Sequence, residues 1–169
     1  MDKEYTRRLS VAHSETFDLN RSALWAMIST PGILEKCHPF CRTNAVQTWN
    51  DNEHTDTLVY LNGRTYVRRF QTWSEGRGYT LLIGEKGGAQ SYVEWQIETQ
   101  EKDTCRLTIT VYPYILARIP SLLARIPHAL WVRPRLETYL KSVILGFQYY
   151  TKNQRNVPRN HFGRHPWFS

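Results

Sequence analysis

Pro134-Arg135-Leu136-Glu137-Thr138-Tyr139-Leu140-Lys141-Ser142-Val143-Ile144-Leu145-Gly146-Phe147-Gln148-Tyr149-Tyr150 decides the fold. Leu136, Tyr139, Leu140, Val143, Ile144, Phe147 and Tyr150 recur at helical spacing and form one apolar stripe about four turns long. Proline suits the first helical position, where a missing N–H costs nothing. Gly146 interrupts the stripe. Glycine inside a helix costs about 1 kcal/mol against alanine, so it predicts close packing or room for a ligand. A long helix with one apolar stripe needs a broad apolar surface to lie on.

The stretch before it supplies that surface. All eight prolines stand at Pro31, Pro39 or from Pro113 onward, and none falls between Phe40 and Tyr112. Proline cannot donate to a sheet ladder, so this gap is where strands belong. Gly63, Gly76, Gly78, Gly84, Gly87 and Gly88 punctuate the gap as turns. The expected strands are Arg8–Phe17, Thr43–Trp49, Asp56–Leu61, Arg64–Trp73, Tyr79–Gly84, Ser91–Thr99 and Arg106–Tyr112. Between the first two, Asn20 caps a short helix, Leu19 and Leu24 form its hydrophobic staple, and Pro31-Gly32 ends it. A second helical turn covers Ile33–Lys36. In the later strands Val93, Trp95 and Ile97, and likewise Leu107, Ile109 and Val111, alternate with polar residues, so they share an inner face with the helix stripe. Leu61-Asn62-Gly63-Arg64 predicts a two-residue type I′ hairpin pairing Leu61 with Arg64, Val59 with Tyr66 and Thr57 with Arg68. Leu58, Tyr60, Val67, Arg69 and Trp73 then take the opposite face. Both faces are half apolar, so alternation leaves the inner one open.

Composition bounds the rest. With 169 residues, the chain suits one domain, residues 1–152, plus a C-terminal tail, 153–169. The opening Met1-Asp2-Lys3-Glu4-Tyr5 lacks the apolar core of a signal peptide, and no apolar run approaches the roughly 20 residues that span a bilayer. Three cysteines without secretory context predict reduced thiols, and the expected compartment is the cytoplasm. The net charge of +7 is uneven: from residue 113 onward nine Lys/Arg face a single acid, Glu137. Such a surplus suits an anionic partner, or equally a solvated face.

The order of strand, two short helices, six strands and a long amphipathic helix resembles the helix-grip superfamily, the group of START lipid-transfer domains and polyketide cyclase/dehydrase-like proteins. Phe17-Asp18-Leu19-Asn20 leading to Leu24-Trp25 resembles its first strand-to-helix passage, and Arg135 to Leu140, running on to Gly146-Phe147, its closing helix. The resemblance covers Leu9 to Tyr150. It implies an α+β fold: a curved seven-stranded antiparallel sheet around a long C-terminal helix, enclosing a cavity for lipids, polyketides or similar apolar compounds. It implies no particular reaction.

Tyr66, Phe70, Trp95, Tyr139, Val143 and Phe147 are the expected cavity-lining residues, with His38 and Arg68 as polar groups that orient a ligand. Arg68 and Arg69 are adjacent on a strand, so one faces inward. A buried guanidinium needs an internal acid or a ligand anion; the alternative is a rim pair near Glu75 or Glu94. His13 and Glu94 are further polar candidates. Cys37-x3-Cys41 and His161-x3-His165 have zinc-compatible spacing, but packed thiols are the commoner explanation, so no metal or cofactor is assigned.

Pro113, Pro120, Pro127 and Pro134 recur every seven residues, and Leu-Ala-Arg-Ile-Pro occurs at Leu116–Pro120 and Leu123–Pro127. These prolines predict short kinked turns rather than one helix. The mix of Arg118, Arg125 and Arg133 with Ile, Leu and Trp131 suits a lid, a dimer contact or membrane docking. The basic, aromatic tail is expected to dock on the domain. Three readings follow. The first is a non-catalytic binder or carrier of a hydrophobic small molecule. The second is a cyclase- or aromatase-type enzyme in which His38 or Arg68 handles protons. The third, ranked below both, is a nucleic-acid or protein interaction module.

Overall fold

Every proline-free segment expected to be a strand is one in the computed structural model, which describes residues 2–117 and 119–169. After a short helix α1 (Asp2–Tyr5) come β1 (Val11–Phe17), α2 (Arg21–Ile28) and α3 (Leu34–Cys37). Six strands follow: β2 (Cys41–Trp49), β3 (His54–Tyr60), β4 (Thr65–Ser74), β5 (Gly78–Gly84), β6 (Gln90–Glu101) and β7 (Thr104–Tyr112). They form a seven-stranded antiparallel sheet in the order β1-β7-β6-β5-β4-β3-β2. Register shifts in the β2–β3, β4–β5 and β6–β7 pairs bend it, as bulges do. The curved sheet wraps the closing helix α5 (Arg133–Asn153), an α+β architecture. Asn20 caps α2 as its sequence predicts, its side chain accepting from the Ala23 N–H at 2.9 Å. Val93, Trp95, Ile97, Leu107, Ile109 and Val111 are all buried in one core with Leu136, Leu140, Val143, Ile144 and Phe147 of α5.

Two expectations are corrected. The β3–β4 loop holds three residues, not two. Tyr60 N–H donates to the Arg64 carbonyl and Gly63 N–H to the Tyr60 carbonyl, and Gly63 alone takes positive φ (+88°). This is the type I turn with a following bulge, which glycine at its left-handed position permits. The register moves by one residue, pairing Leu58 with Tyr66 and Asp56 with Arg68. A one-residue slip reassigns every side chain to the other face. Asp56, Leu58, Tyr60, Tyr66 and Arg68 are therefore buried together.

The second correction concerns the proline-spaced segment. Helix α4 (Ser121–Pro127), a π turn (His128–Val132) and α5 follow without a gap. The wider turn is how the helical run tolerates its prolines: Arg133 N–H reaches the His128 carbonyl five residues back. Arg118 lies outside the described residues.

Gly146 has a packing reason. A β-carbon there would stand 2.0 Å from the Cys37 carbonyl oxygen, so only glycine lets α5 touch the end of α3. No helix among the described residues is long and apolar enough to cross a membrane.

Candidate functional site

Between the concave sheet and α5 lies a cavity of about 100 Å³. Its walls are mainly apolar: Leu81 and Val93 from the sheet centre, Trp95 and Ile109 beside them, and Leu140 and Val143 from the helix. Of the expected residues, His38, Tyr66, Arg68, Trp95, Tyr139 and Val143 line it, whereas Phe70 and Phe147 do not. Phe147 is fully buried behind the wall, edge-on to Trp95 at 5.6 Å. Phe70 belongs to an aromatic plug with Trp49, Trp73 and Tyr79 that fills one end of the core.

The buried polar groups in the wall are partnered, while Arg64, also in the lining, is exposed. Arg68 is the inward arginine, while Arg69 is exposed and reaches Gln90. Arg68 grips Asp56 with two hydrogen bonds, Nε to Oδ1 at 2.7 Å and a second from Nη2 to Oδ2. The Arg68 guanidinium sits 5.3 Å from the Phe70 ring centre. Burial opposes the guanidinium charge, but the Asp56 carboxylate outweighs it and holds the arginine protonated more firmly than usual. The counter-ion is thus internal. Neither Glu75 nor Glu94 fills that role; Glu94 instead accepts a hydrogen bond from Tyr112.

His38 is buried at the end of α3. Phe40 N–H donates to its Nδ1 (3.1 Å), so the neutral ring carries its proton on Nε2, which donates to Tyr139 Oη (3.0 Å). Tyr139 in turn hydrogen-bonds Tyr60 Oη at 3.0 Å. Burial, reinforced by nearby Arg68, pushes the His38 pKa down to about 3, and burial pushes that of Tyr139 up to about 12. His38 therefore stays neutral at physiological pH with its lone pair engaged. At the other end Tyr66 and Tyr114 join hydroxyls at 3.3 Å. His13 is elsewhere, pairing with Glu15 on edge strand β1.

Folded His38 resists protonation until about pH 3, whereas the unfolded chain takes up that proton near 6.5. Unfolding thus binds a proton between these values, and stability falls as pH drops from 6.5 towards 3. Urea unfolding at pH 7 and pH 4.5 is expected to show a smaller acid loss for His38→Gln than for wild type. Equal losses would mean that His38 is accessible to protons when folded.

The C-terminal tail, expected only to dock on the domain, forms part of the wall. Val157 N–H donates to the Lys36 carbonyl at 2.8 Å and Asn160 N–H to the Pro39 carbonyl at 2.9 Å, laying the chain along α3. His165 Nε2 donates to the Arg135 carbonyl at 3.0 Å. Trp167 and Phe168 then line the cavity, Phe168 stacking on Tyr60 at 4.3 Å and meeting Tyr139 at 4.6 Å. The density of aromatics in the tail was the available signal. Cys37 and Cys41 are packed thiols, each pushed up to about 12 chiefly by burial. Among the described residues no three His, Cys, Asp or Glu side chains group as a metal site would require.

No family model and no curated protein matches the sequence. Solved structures do match the fold. A protein from Arthrobacter aurescens shares 16% identity at a TM-score of 0.65, over 94% of this chain and 95% of its own. A START superfamily protein from Mycobacterium smegmatis shares 10% at 0.62, over 86% and 98%. DynU16, from the dynemicin biosynthetic locus, shares 11% at 0.62, over 87% of this chain and 48% of its own. At such identities the likeness is one of architecture alone: the chain has a START-like helix-grip fold.

Proposed function

We infer that the protein binds a small, predominantly apolar molecule between the sheet and α5, without chemistry of its own. The observation that carries this reading is a cavity whose walls are mainly apolar and whose buried polar groups already satisfy one another, leaving the exposed Arg64 as the remaining cation in its lining. A pocket of this kind rewards shape and hydrophobic area rather than a particular hydrogen-bonding pattern. The enzyme reading is weaker. It would need a proton acceptor, but the neutral His38 ring has its Nδ1 lone pair occupied by a backbone N–H, and Arg68 is held by Asp56. The ligand-contacting set is His38, Tyr66, Arg68, Trp95, Tyr139 and Val143, with Tyr60 and Phe168 added.

At about 100 Å³ the cavity is smaller than the roughly 300–1,000 Å³ of pockets for drug-sized ligands. Phe168 packs against Tyr60 and Tyr139 in the wall, and its displacement would enlarge the cavity for a larger occupant. Native mass spectrometry of protein purified from its own host should show an apolar molecule bound one to one. Titration with an environment-sensitive apolar dye, followed by displacement with fatty acids or aromatic polyketides, should show tighter binding by Phe168→Ala than by wild type. A folded wild type and a folded Phe168→Ala that both fail to retain any ligand or dye would end the reading.

A further inference from the structure

The helical run from α4 into the π turn has two apolar faces, and the fold uses one. Ala124, His128 and Val132, four residues apart, are buried against the body. On the outer side Leu122, Leu123, Ile126 and Leu130 are 71, 68, 71 and 76% exposed, flanked by Ile119 and Trp131. Single exposed leucines are ordinary on a protein surface, but a contiguous row of long aliphatic side chains marks an interaction site. Leu122, Ile126 and Leu130 recur every fourth residue, as one stripe requires.

Charge indicates what covers the stripe. Arg125 lies beside it and makes no ion pair or side-chain hydrogen bond among the described residues. Arg133 pairs with Glu137 at 2.7 Å, and Arg135 sits 5.6 Å from the Trp131 ring centre. Glu137 is the only acid from residue 113 onward. The patch also borders the cavity: Pro113 and Ile115 line both the cavity and a groove that continues to Ile119, Ala124 and His128.

We propose that this face docks on an anionic lipid bilayer, with the four aliphatic side chains in the acyl boundary and Arg125 and its basic neighbours among the headgroups. An amphipathic element with leucines on one face and arginines at its margin binds such a surface through apolar burial and salt-screened attraction together. A second copy fits worse, because a two-fold contact through the same stripe would bring Arg125 against Arg125. Nucleic acid fits worse too, since bases stack on aromatic rings and the stripe is aliphatic. The proposal goes beyond ligand binding and does not depend on it.

Vesicle co-sedimentation of the full chain decides the matter, using phosphatidylcholine with and without phosphatidylglycerol at low and high salt. Wild type should sediment with anionic vesicles at low salt and be released by high salt. The triple variant Leu122→Ser, Ile126→Ser, Leu130→Ser should bind about tenfold more weakly or worse, and Arg125→Glu several-fold more weakly. All these side chains are exposed, so the variants should melt as wild type does, and a melt control checks this. Absence of binding at low salt, or equal binding by the folded triple variant, would overturn the proposal. A dimer in sedimentation velocity that the triple variant abolishes, without vesicle binding, would assign the face to a second copy. RNA binding in place of vesicle binding would likewise overturn it.

Discussion

Asp56→Ala is expected to cost about 3–5 kcal/mol of folding stability, because it strands the Arg68 guanidinium in the core. Asp56 is fully buried and Arg68 is 4% exposed, so water cannot replace the lost carboxylate. Against a typical total of about 5–15 kcal/mol, the variant would be barely folded or unfolded at ordinary temperature. Arg68→Met should also be strongly destabilising, since it leaves the carboxylate as the unpaired charge. The double variant Asp56→Leu, Arg68→Met should recover most of the loss, because an apolar pair of similar volume removes both desolvation costs. Urea denaturation of the three variants reads these values. A loss below about 1 kcal/mol for Asp56→Ala would mean that solvent reaches the pair. The same variant separates two roles for Arg68. If a carboxylate ligand takes over the vacated position, fatty acid should stabilise Asp56→Ala more than wild type; if the cavity reads only apolar shape, it should not.

Asp56 and Arg68 are direct cross-strand neighbours, but only in the register that a three-residue loop sets. Asn62-Gly63 fits the two-residue loop equally well, since both turns need glycine at a positive-φ position and differ only in whether Asn62 also adopts one. In the two-residue register Leu58 and Tyr60 fall on the face opposite Tyr66 and Arg68, whereas in the structure they share it. Strand positions were legible because proline exclusion and glycine punctuation are local properties. The inner faces of β6 and β7 were legible because apolar and polar residues alternate strictly there. Helix α5 was legible from its stripe, but its continuity with α4 was not, since prolines spaced by seven read as breaks and nothing local announces a π turn. At the site, residues on α5 and β6 were found by periodicity. The tail's Trp167 and Phe168, and Tyr60 across from them, depended on tertiary contacts that no sequence period encodes.

Trp95→Ala should cost about 3–5 kcal/mol, and its consequence for binding should differ from that of an equally costly change next to it. The Trp95 indole stacks on Tyr79 at 5.4 Å and meets Phe147 edge-on at 5.6 Å, with the residue 6% exposed. Phe147→Ala removes a fully buried ring and should cost a similar amount. The difference is where the space opens. Trp95 is in the cavity wall and Phe147 is behind it, so only the tryptophan deletion joins its void to the existing cavity. A dry apolar void of that shape accepts a small aromatic molecule, and a ligand that binds only the folded state returns about 2.7 kcal/mol at one hundred times its dissociation constant. Indole should therefore raise the melting temperature of Trp95→Ala most, leave wild type nearly unmoved, and act less on Phe147→Ala, whose phenyl-sized void is smaller than indole. Should indole stabilise neither variant while both lose several kcal/mol, Trp95 is plain core and the cavity ends short of it. If Trp95→Ala loses less than about 1 kcal/mol, the wall is loosely packed there already, and a larger natural ligand would rest against the indole rather than displace Phe168.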